Sequence, residues 1–172
     1  MRIFIKKFIQ TGIKSERFVN PADSATKKLG KSLEKTIAKH FKRALAIRLV
    51  DAGSCNACEL EINATCNPFY NLERYGIHFV ASPRHADLLL VTGPVTKNMH
   101  DALIKTYEAM PEPKRVVAIG DCAHCGGVFK NSYAVKNGIG SIIPVDVIVS
   151  GCPPTPIQII RSIFDVIKIH LD

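Results

Sequence analysis

The chain has 172 residues, of which 47% are hydrophobic and 22% are charged. This length suits one domain, and this composition provides a core that needs no disulfides to hold it together. The formal charge of +8 is uneven, because residues 1–50 carry 13 Lys and Arg against 3 acids, whereas residues 51–172 carry 10 against 12. The basic N-terminal extension suits an acidic protein surface, anionic lipid headgroups or nucleic acid, and a solvated helix is the alternative.

The sequence predicts neither a secretory signal nor a membrane-spanning helix. The start, MRIFIKKFIQTGIK, has only a three-residue apolar run before a lysine pair. No stretch approaches the ~18–20 apolar residues that cross a bilayer. We therefore expect a cytoplasmic protein, in which six cysteines more often indicate metal or redox chemistry than disulfides.

The predicted elements begin with a basic extension and continue as alternating strands and helices. Residues 1–20 are amphipathic and could lie on a membrane surface or on a partner, and residues 24–43 are predicted to form a helix. Strands are then predicted at 46–51, 77–81, 87–93, 115–120 and 145–151, and helices at 57–73, 97–110 and 155–171. This alternation predicts an α/β fold with a doubly wound parallel sheet over residues 44–172, preceded by a helical extension at 1–43.

Three of the predicted strands are each followed by a glycine and then by a cysteine. The segments AIRLVDAGSC, RVVAIGDC and VDVIVSGC end at Cys55, Cys122 and Cys152. Parallel strands end along one edge of the sheet, where ligands bind, so we expect Cys55, Cys58, Cys122 and Cys152 to meet there. The glycines allow sharp turns and a close approach to a bulky inorganic group.

The C-x-x-C pair in GSCNACELE (53–61) could be a redox dithiol, half of a zinc site or half of an iron–sulfur site. A zinc knuckle usually leaves ~15–20 residues between its two cysteine pairs. Here 63 residues separate Cys58 from Cys122. A thioredoxin-like dithiol would leave Cys152 unexplained, whereas one [4Fe–4S] cluster uses four thiolates. The spacing therefore favours one such cluster.

The other two cysteines fit this site less well. Cys66 lies about 12 Å beyond Cys58 if the helix continues, so we expect a buried structural thiol. Cys125 forms a second C-x-x-C with Cys122 and could bind in its place. We favour Cys122, because it holds the same position after a strand as Cys55 and Cys152.

Two carboxylates and one histidine near the cysteines are further candidates. Glu59 and Glu61 could relay protons beside a redox centre, or could be acids favoured at a helix N-terminus. Of the two, Glu61 is the stronger candidate for a proton relay. His124 could hydrogen-bond a cluster sulfide, and a surface turn is the equally simple alternative.

The motifs GSCNACELE, SPRHADLLLVTGPVT, IGDCAHCGG and IPVDVIVSGCPPTP resemble a known family. They are similar to the small electron-transfer subunit of membrane-bound, energy-converting (group 4) [NiFe] hydrogenases, including formate hydrogenlyase. At greater distance they resemble the 20 kDa (PSST-type) subunit of complex I. The resemblance covers about residues 44–170. It implies a flavodoxin-like fold and one [4Fe–4S] cluster, with Cys55, Cys58, Cys122 and Cys152 as the ligands by position.

The first motif, GSCNACELE, also distinguishes the hydrogenase subunit from the complex I subunit. The complex I subunit usually carries two adjacent cysteines there, whereas Asn56 and Ala57 separate them here, which is the hydrogenase pattern. Ala57 stands where that pattern usually has Gly. Glu61 falls on the family's acidic position near the large-subunit interface, where a proton relay is thought to lie.

The resemblance implies a non-catalytic electron-transfer subunit of an oxidoreductase complex. Electrons would pass between ferredoxin-like subunits and the [NiFe] site of a large subunit, with hydrogen evolution or uptake coupled to ion transport. The implied partners are a hydrogenase or 49 kDa-like large subunit, a ferredoxin-like iron–sulfur subunit and membrane subunits. They would place the chain as a peripheral subunit on the cytoplasmic face of the inner membrane.

Two other functions compete with this expectation. One is the equivalent subunit of a complex-I-like oxidoreductase that lacks hydrogenase activity and reduces quinone or another acceptor. The other is a zinc-bearing nucleic-acid binder that uses the basic extension. We expect no nucleic-acid partner, because such a binder has no use for Cys152 at the end of a strand.

Overall fold

A computed structural model describes residues 5–7, 9 and 24–169 of the chain. From Ser24 onward its helices are α1 (Ser24–His40), α2 (Ala57–Ala64), α3 (Lys97–Glu108), α4 (Asp121–Cys125) and α5 (Pro156–Ile169). Its strands are β1 (Leu45–Asp51), β2 (Ile77–Phe79), β3 (Leu88–Thr92), β4 (Val116–Ile119) and β5 (Val147–Val149). All five predicted strands are therefore present, within a few residues of their predicted ends.

The five strands form one parallel sheet in the order β2-β1-β3-β4-β5. This is the flavodoxin-like order of a doubly wound sheet, so the predicted fold class is confirmed. The central strand β3 is buried along its whole length, as its apolar run LLLVT requires of a strand covered on both faces. All the strand ends that precede the predicted cysteines consequently lie on one edge.

Helices cover both faces of the sheet, and successive strand residues face opposite layers. Leu88 and Leu90 belong to one hydrophobic cluster, in which residues of α1, α2 and α5 pack. Leu89 and Val91 belong to a second cluster, which contains Leu103 of α3. The alternation follows from the two-residue period of a strand and gives the fold three layers.

The helical extension joins the first of these layers. Leu33 and Ile37 of α1 are buried in the same cluster as the strands, so α1 packs on the sheet through these apolar residues. Most of residues 1–20, which are predicted to be amphipathic, lie outside the described residues. In the described part of the chain, no helix has the length and apolar character needed to span a membrane.

The helix predicted at 57–73 is wrong over its second half. α2 ends at Ala64, and a separate 3₁₀ turn forms at Leu72–Tyr75. The side chain of Asn67 accepts hydrogen bonds from the backbone N–H groups of Phe69 and Tyr70, at 2.9 and 3.0 Å. This Asx turn competes with the helix, and Pro68 lacks the N–H that would continue it.

Candidate metal centre

Three loops at the carboxyl edge of the sheet carry the four predicted ligands. Cys55 and Cys58 follow β1, Cys122 follows β4 at the start of α4, and Cys152 follows β5. Cys58 and Cys122 are each only 8% exposed, whereas Cys55 and Cys152 are exposed. The site therefore has a buried side against the sheet and an open side toward solvent.

The thiols of these four cysteines act on one another electrostatically. The pKa of Cys58 is raised to about 12, first by burial, then by the charge of Glu59, and then by Cys122, Cys55 and Cys152. The pKa of Cys122 is also raised, mainly by burial, with further contributions from Cys152 and Cys55. A raised pKa favours the thiol over the thiolate, and the positive charge of a bound metal group would favour the thiolate instead.

A pair of reciprocal hydrogen bonds joins the loops after β4 and β5. The backbone N–H of Asp121 donates to the carbonyl of Gly151 at 3.0 Å. The N–H of Gly151 donates to the Asp121 carboxylate at 2.9 Å. These bonds fix the position of Cys122 relative to Cys152. Asp121 was not among the residues predicted from the sequence, although its place directly after the strand-end glycine was a usable signal.

Gly120 lets the backbone pass close to the buried thiol of Cys58. Its φ of 88° and ψ of 160° lie in a region that is essentially reserved for glycine. A Cβ atom at this position would lie 2.7 Å from the Sγ of Cys58 and 3.3 Å from the carbonyl oxygen of Gly151. A side chain on this residue would therefore both strain the backbone and displace a candidate ligand.

Gly120→Ala is expected to lower the free energy of unfolding by about 2 kcal/mol or more, since the backbone strain alone costs ~1–3 kcal/mol. Urea denaturation measures the difference. Gly140→Ala is the matched control, because a Cβ there would meet nothing within 4 Å and its backbone is not left-handed. An equal effect of both substitutions would contradict the tight packing at Gly120.

The remaining predicted residues lie in different surroundings. Cys66 is exposed, so the expectation of a buried structural thiol is wrong; α2 ends before it, at Ala64. Cys125 is exposed, and its Sγ donates to the carbonyl of Asp121 at 3.4 Å. His124 is exposed as well.

The two carboxylates of α2 differ in a way that the sequence analysis did not foresee. Glu59 is 7% exposed and one of its carboxylate oxygens accepts from the hydroxyl of Ser54 at 2.7 Å, whereas Glu61 is only half-buried. Glu59 also acts on the pKa of Cys58, as noted above. Glu59 is buried because it lies on the same buried side of α2 as Cys58 and Ile62.

Four cysteine thiols are a donor set that suits either zinc or an iron–sulfur cluster, since both take thiolate ligands. In a zinc site with Zn–S bonds of ~2.3 Å, the sulfurs lie within about 4 Å of one another. Among residues 5–7, 9 and 24–169, no three His, Cys, Asp or Glu side chains are grouped so as to hold one ion. A [4Fe–4S] cluster takes four thiolates, one on each of its irons.

Comparison with known proteins identifies a matching family and several relatives. The family model described as NADH ubiquinone oxidoreductase, 20 Kd subunit, matches residues 55–166, a range that includes the four cysteines. Formate hydrogenlyase subunit 7 of Escherichia coli (strain K12) is 45% identical over 125 residues, which are 73% of this chain and 49% of that protein. The chain thus matches about half the length of that relative. The probable membrane-bound hydrogenase subunit mbhJ of Pyrococcus furiosus is 47% identical over 136 residues, covering 77% of this chain and 81% of that one.

Two solved structures share the fold. The first is the membrane-bound sulfane sulfur reductase (MBS), an archaeal respiratory membrane complex, with a TM-score of 0.62 and 35% identity. The match covers 81% of this chain and 73% of the matched chain. The second is an NAD⁺-reducing [NiFe]-hydrogenase in the H₂-reduced state, with a TM-score of 0.57 over 73% of this chain and 92% of that one. At 20% identity, this second likeness bears on the fold alone.

Proposed function

Because the chain belongs to the family of the 20 kDa subunit of NADH ubiquinone oxidoreductase, whose members include hydrogenase subunits, we propose that it transfers electrons through one [4Fe–4S] cluster. In this proposal the chain is a non-catalytic subunit of a membrane-bound hydrogenase complex. The observation that carries the proposal is the meeting of four thiols from three strand ends at one edge of the sheet.

In this proposal Cys55, Cys58, Cys122 and Cys152 hold the cluster. The bound cluster supplies one-electron redox chemistry, and its potential depends on burial and on hydrogen bonds to sulfur. Buried Cys58 and Cys122 keep water away on the sheet side. Exposed Cys55 and Cys152 leave the opposite side open, so that electrons can pass to a partner that covers it.

Apolar side chains beside the site suit such a partner. Leu60 directly follows the Cys58–Glu59 pair and is 60% exposed, and Val128 and Tyr133 follow the second C-x-x-C at 77% and 88% exposure. Contiguous exposed apolar patches often mark protein interfaces, and we propose that these three residues belong to one. We assign this surface to the large subunit, which is the [NiFe]-bearing subunit in the hydrogenase alternative. A ferredoxin-like subunit supplies or takes the electrons.

The complex would sit on the cytoplasmic face of the inner membrane, with this chain as a peripheral subunit held by membrane subunits. Two relatives belong by name to membrane-bound complexes. The exposed face of α1 carries Lys28, Lys31, Lys35 and Lys39 against Glu34, which suits an anionic lipid or acidic protein surface.

The similarity to the sulfane sulfur reductase favours an alternative function. The matched chain, at 35% identity, belongs to a respiratory complex whose name describes sulfur reduction. The same electron-transfer subunit could therefore serve a complex-I-like oxidoreductase without hydrogenase activity. The sequence of the large subunit would distinguish these two functions. A [NiFe] site needs two C-x-x-C motifs in that subunit, one near each end.

The complex purified without oxygen is expected to be brown and to contribute about four irons per copy of this chain's site. Iron and zinc analysis of the native complex, after subtraction of the irons of its other subunits, measures this. Stoichiometric zinc in place of iron would overturn the cluster assignment. Zinc together with nucleic-acid binding that weakens steeply with salt would instead support the zinc-bearing binder.

A further inference from the structure

A basic cavity lies between α1 and the 3₁₀ turn at Leu72–Tyr75. Its volume is about 370 Å³. The described residues that line it are polar or aromatic, and they are Lys27, Lys31, Glu34, Arg74 and Tyr75. The turn directly precedes β2, whereas the cysteines follow strands, so the turn lies at the edge of the sheet opposite the candidate metal centre. The proposed electron transfer gives this cavity no role.

Close packing of Tyr75 on Gly30 holds the turn against α1. Tyr75 is 9% exposed, and a Cβ atom on Gly30 would overlap its ring. The Asn71 side chain caps the turn, because it accepts a hydrogen bond from the backbone N–H of Arg74 at 3.3 Å. Arg74 therefore belongs to a fixed turn that lies beside the helix.

The charges that line the cavity favour an anion. Lys27 and Lys31 are four residues apart on α1, a spacing that places both side chains on one face of the helix. Arg74 adds a third cation from the turn, and Glu34 is the acid of the described lining, which leaves a net charge of +2. Cations that converge in this way repel one another unless negative charge lies between them.

The lysine spacing along α1 also indicates an anionic ligand. Lysines stand at positions 27, 31, 35 and 39, so the row continues beyond the cavity. Like charges four residues apart destabilise a helix by mutual repulsion. A bound anion would offset this repulsion at the part of the row that also faces Arg74.

We propose that this cavity binds a phosphate group, carried either by free phosphate or by the headgroup of an anionic phospholipid. A phosphate monoester carries about −1.5 to −2 charges at pH 7, which matches the lining better than the single charge of a carboxylate does. Arginine binds phosphate through its planar fork of N–H donors, and lysine binds it as a point charge. The site is independent of the cluster and of the proposed electron transfer.

The size of the cavity suits such a ligand. Small-molecule sites have volumes of about 300–1,000 Å³, and this cavity is near the lower end of that range. It therefore has room for a phosphate together with part of the group that carries it.

Four single substitutions in the full chain test the site. Lys31→Gln and Arg74→Gln each remove one cation from the lining, and Glu34→Gln removes the acid. Lys28→Gln is the matched control, because Lys28 is exposed on the same helix and is not among the described lining residues. All four side chains are exposed, so we expect each variant to fold.

Two measurements distinguish the sources of the phosphate. Calorimetric titration with inorganic phosphate, at constant ionic strength, measures the affinity for free phosphate. Co-sedimentation with phosphatidylcholine vesicles that contain phosphatidic acid measures the affinity for a phospholipid headgroup, and vesicles of phosphatidylcholine alone are the blank.

Lys31→Gln and Arg74→Gln are each expected to weaken binding about tenfold, since each removes a charge-assisted hydrogen bond to the phosphate. Glu34→Gln is expected to strengthen binding about threefold, because it removes a repulsive charge. Lys28→Gln is expected to change binding less than about twofold, since solvent and salt screen an exposed charge outside the cavity.

This order of the four variants supports the site in whichever measurement it is seen. If it is seen with inorganic phosphate, the source is free phosphate or a small phosphorylated molecule, and if it is seen with vesicles alone, the source is a phospholipid headgroup. Equal weakening by Lys28→Gln and the two cavity variants would overturn the site, because it would indicate a general attraction of anions to the basic helix. Any other order, or no binding of either probe, would also overturn it and leave the cluster assignment standing.

Discussion

Replacing Cys152 by Ser is expected to abolish the low-temperature paramagnetic signal of this cluster and to remove its iron from the purified complex. A hydroxyl is a far poorer ligand for iron–sulfur clusters than a thiolate, and four thiolates are required. Cys152 is exposed, so the substitution buries no new polar group and the fold should survive it. The loss of signal would therefore report ligation and not unfolding.

Cys66→Ser is the matched control for this substitution. Cys66 is also an exposed thiol, and it lies two residues beyond the end of α2 at Ala64. Its replacement is expected to leave both the signal and the iron content unchanged. A signal that survived Cys152→Ser, or that vanished with Cys66→Ser, would show that the ligand set is wrong. Circular dichroism of both variants would confirm that the secondary structure is retained.

The fold could be predicted because its strands are strongly patterned. The run DLLLVTG, ended by a glycine and a proline, leaves little alternative to a buried strand, and β3 occupies Leu88–Thr92 as expected. The helix predicted at 57–73 was harder to predict. Its second half does not form because Asn67 makes an Asx turn and Pro68 lacks an N–H, and the hydrophobic pattern does not show this. α4 was missed, since Asp121–Cys125 is too short to show a helical period.

The site could be predicted only as far as the strand ends determine it. Cys55, Cys122 and Cys152 each follow a parallel strand, so they lie at the carboxyl edge of the sheet for any conformation of the loops. Which carboxylate of α2 turns inward depends on how the loop enters that helix. Asn56 sets this entry with a left-handed backbone and directs Glu59 toward Ser54. No pattern of residue types in the sequence reveals that backbone conformation, so Glu61 was ranked first.

The two loops after β4 and β5 explain why widely separated cysteines can form one site. Asp121 and Gly151 exchange hydrogen bonds, and the Gly120 backbone lies against Cys58. The loops after β4 and β5 are therefore joined through hydrogen bonds, and the Gly120 backbone lies close to the Cys58 thiol of the loop after β1. In the proposed function, such contacts would hold the four cysteines in place before a cluster binds, which would reduce the ordering that binding must impose.

Cys122→Ser is expected to abolish the cluster signal, whereas Cys125→Ser is expected to leave it intact. Both residues lie in α4, three positions apart, so each substitution serves as the control for the other. Cys122 is 8% exposed and acts electrostatically on Cys58, while the Cys125 thiol is exposed and donates to the carbonyl of Asp121. Paramagnetic resonance and iron analysis of the two purified complexes measure the difference.

A structural explanation of the Cys122 result must also be excluded. A serine hydroxyl buried without a partner costs about 1–3 kcal/mol, so Cys122→Ser could lower stability as well as remove a ligand. Cys122→Ala separates the two effects, because alanine buries no polar group and yet cannot bind iron. Loss of the signal in both Cys122 variants, with secondary structure retained, would support ligation. A signal that persists in either Cys122 variant and disappears in Cys125→Ser would instead assign the ligand to Cys125, at the exposed end of the same helix.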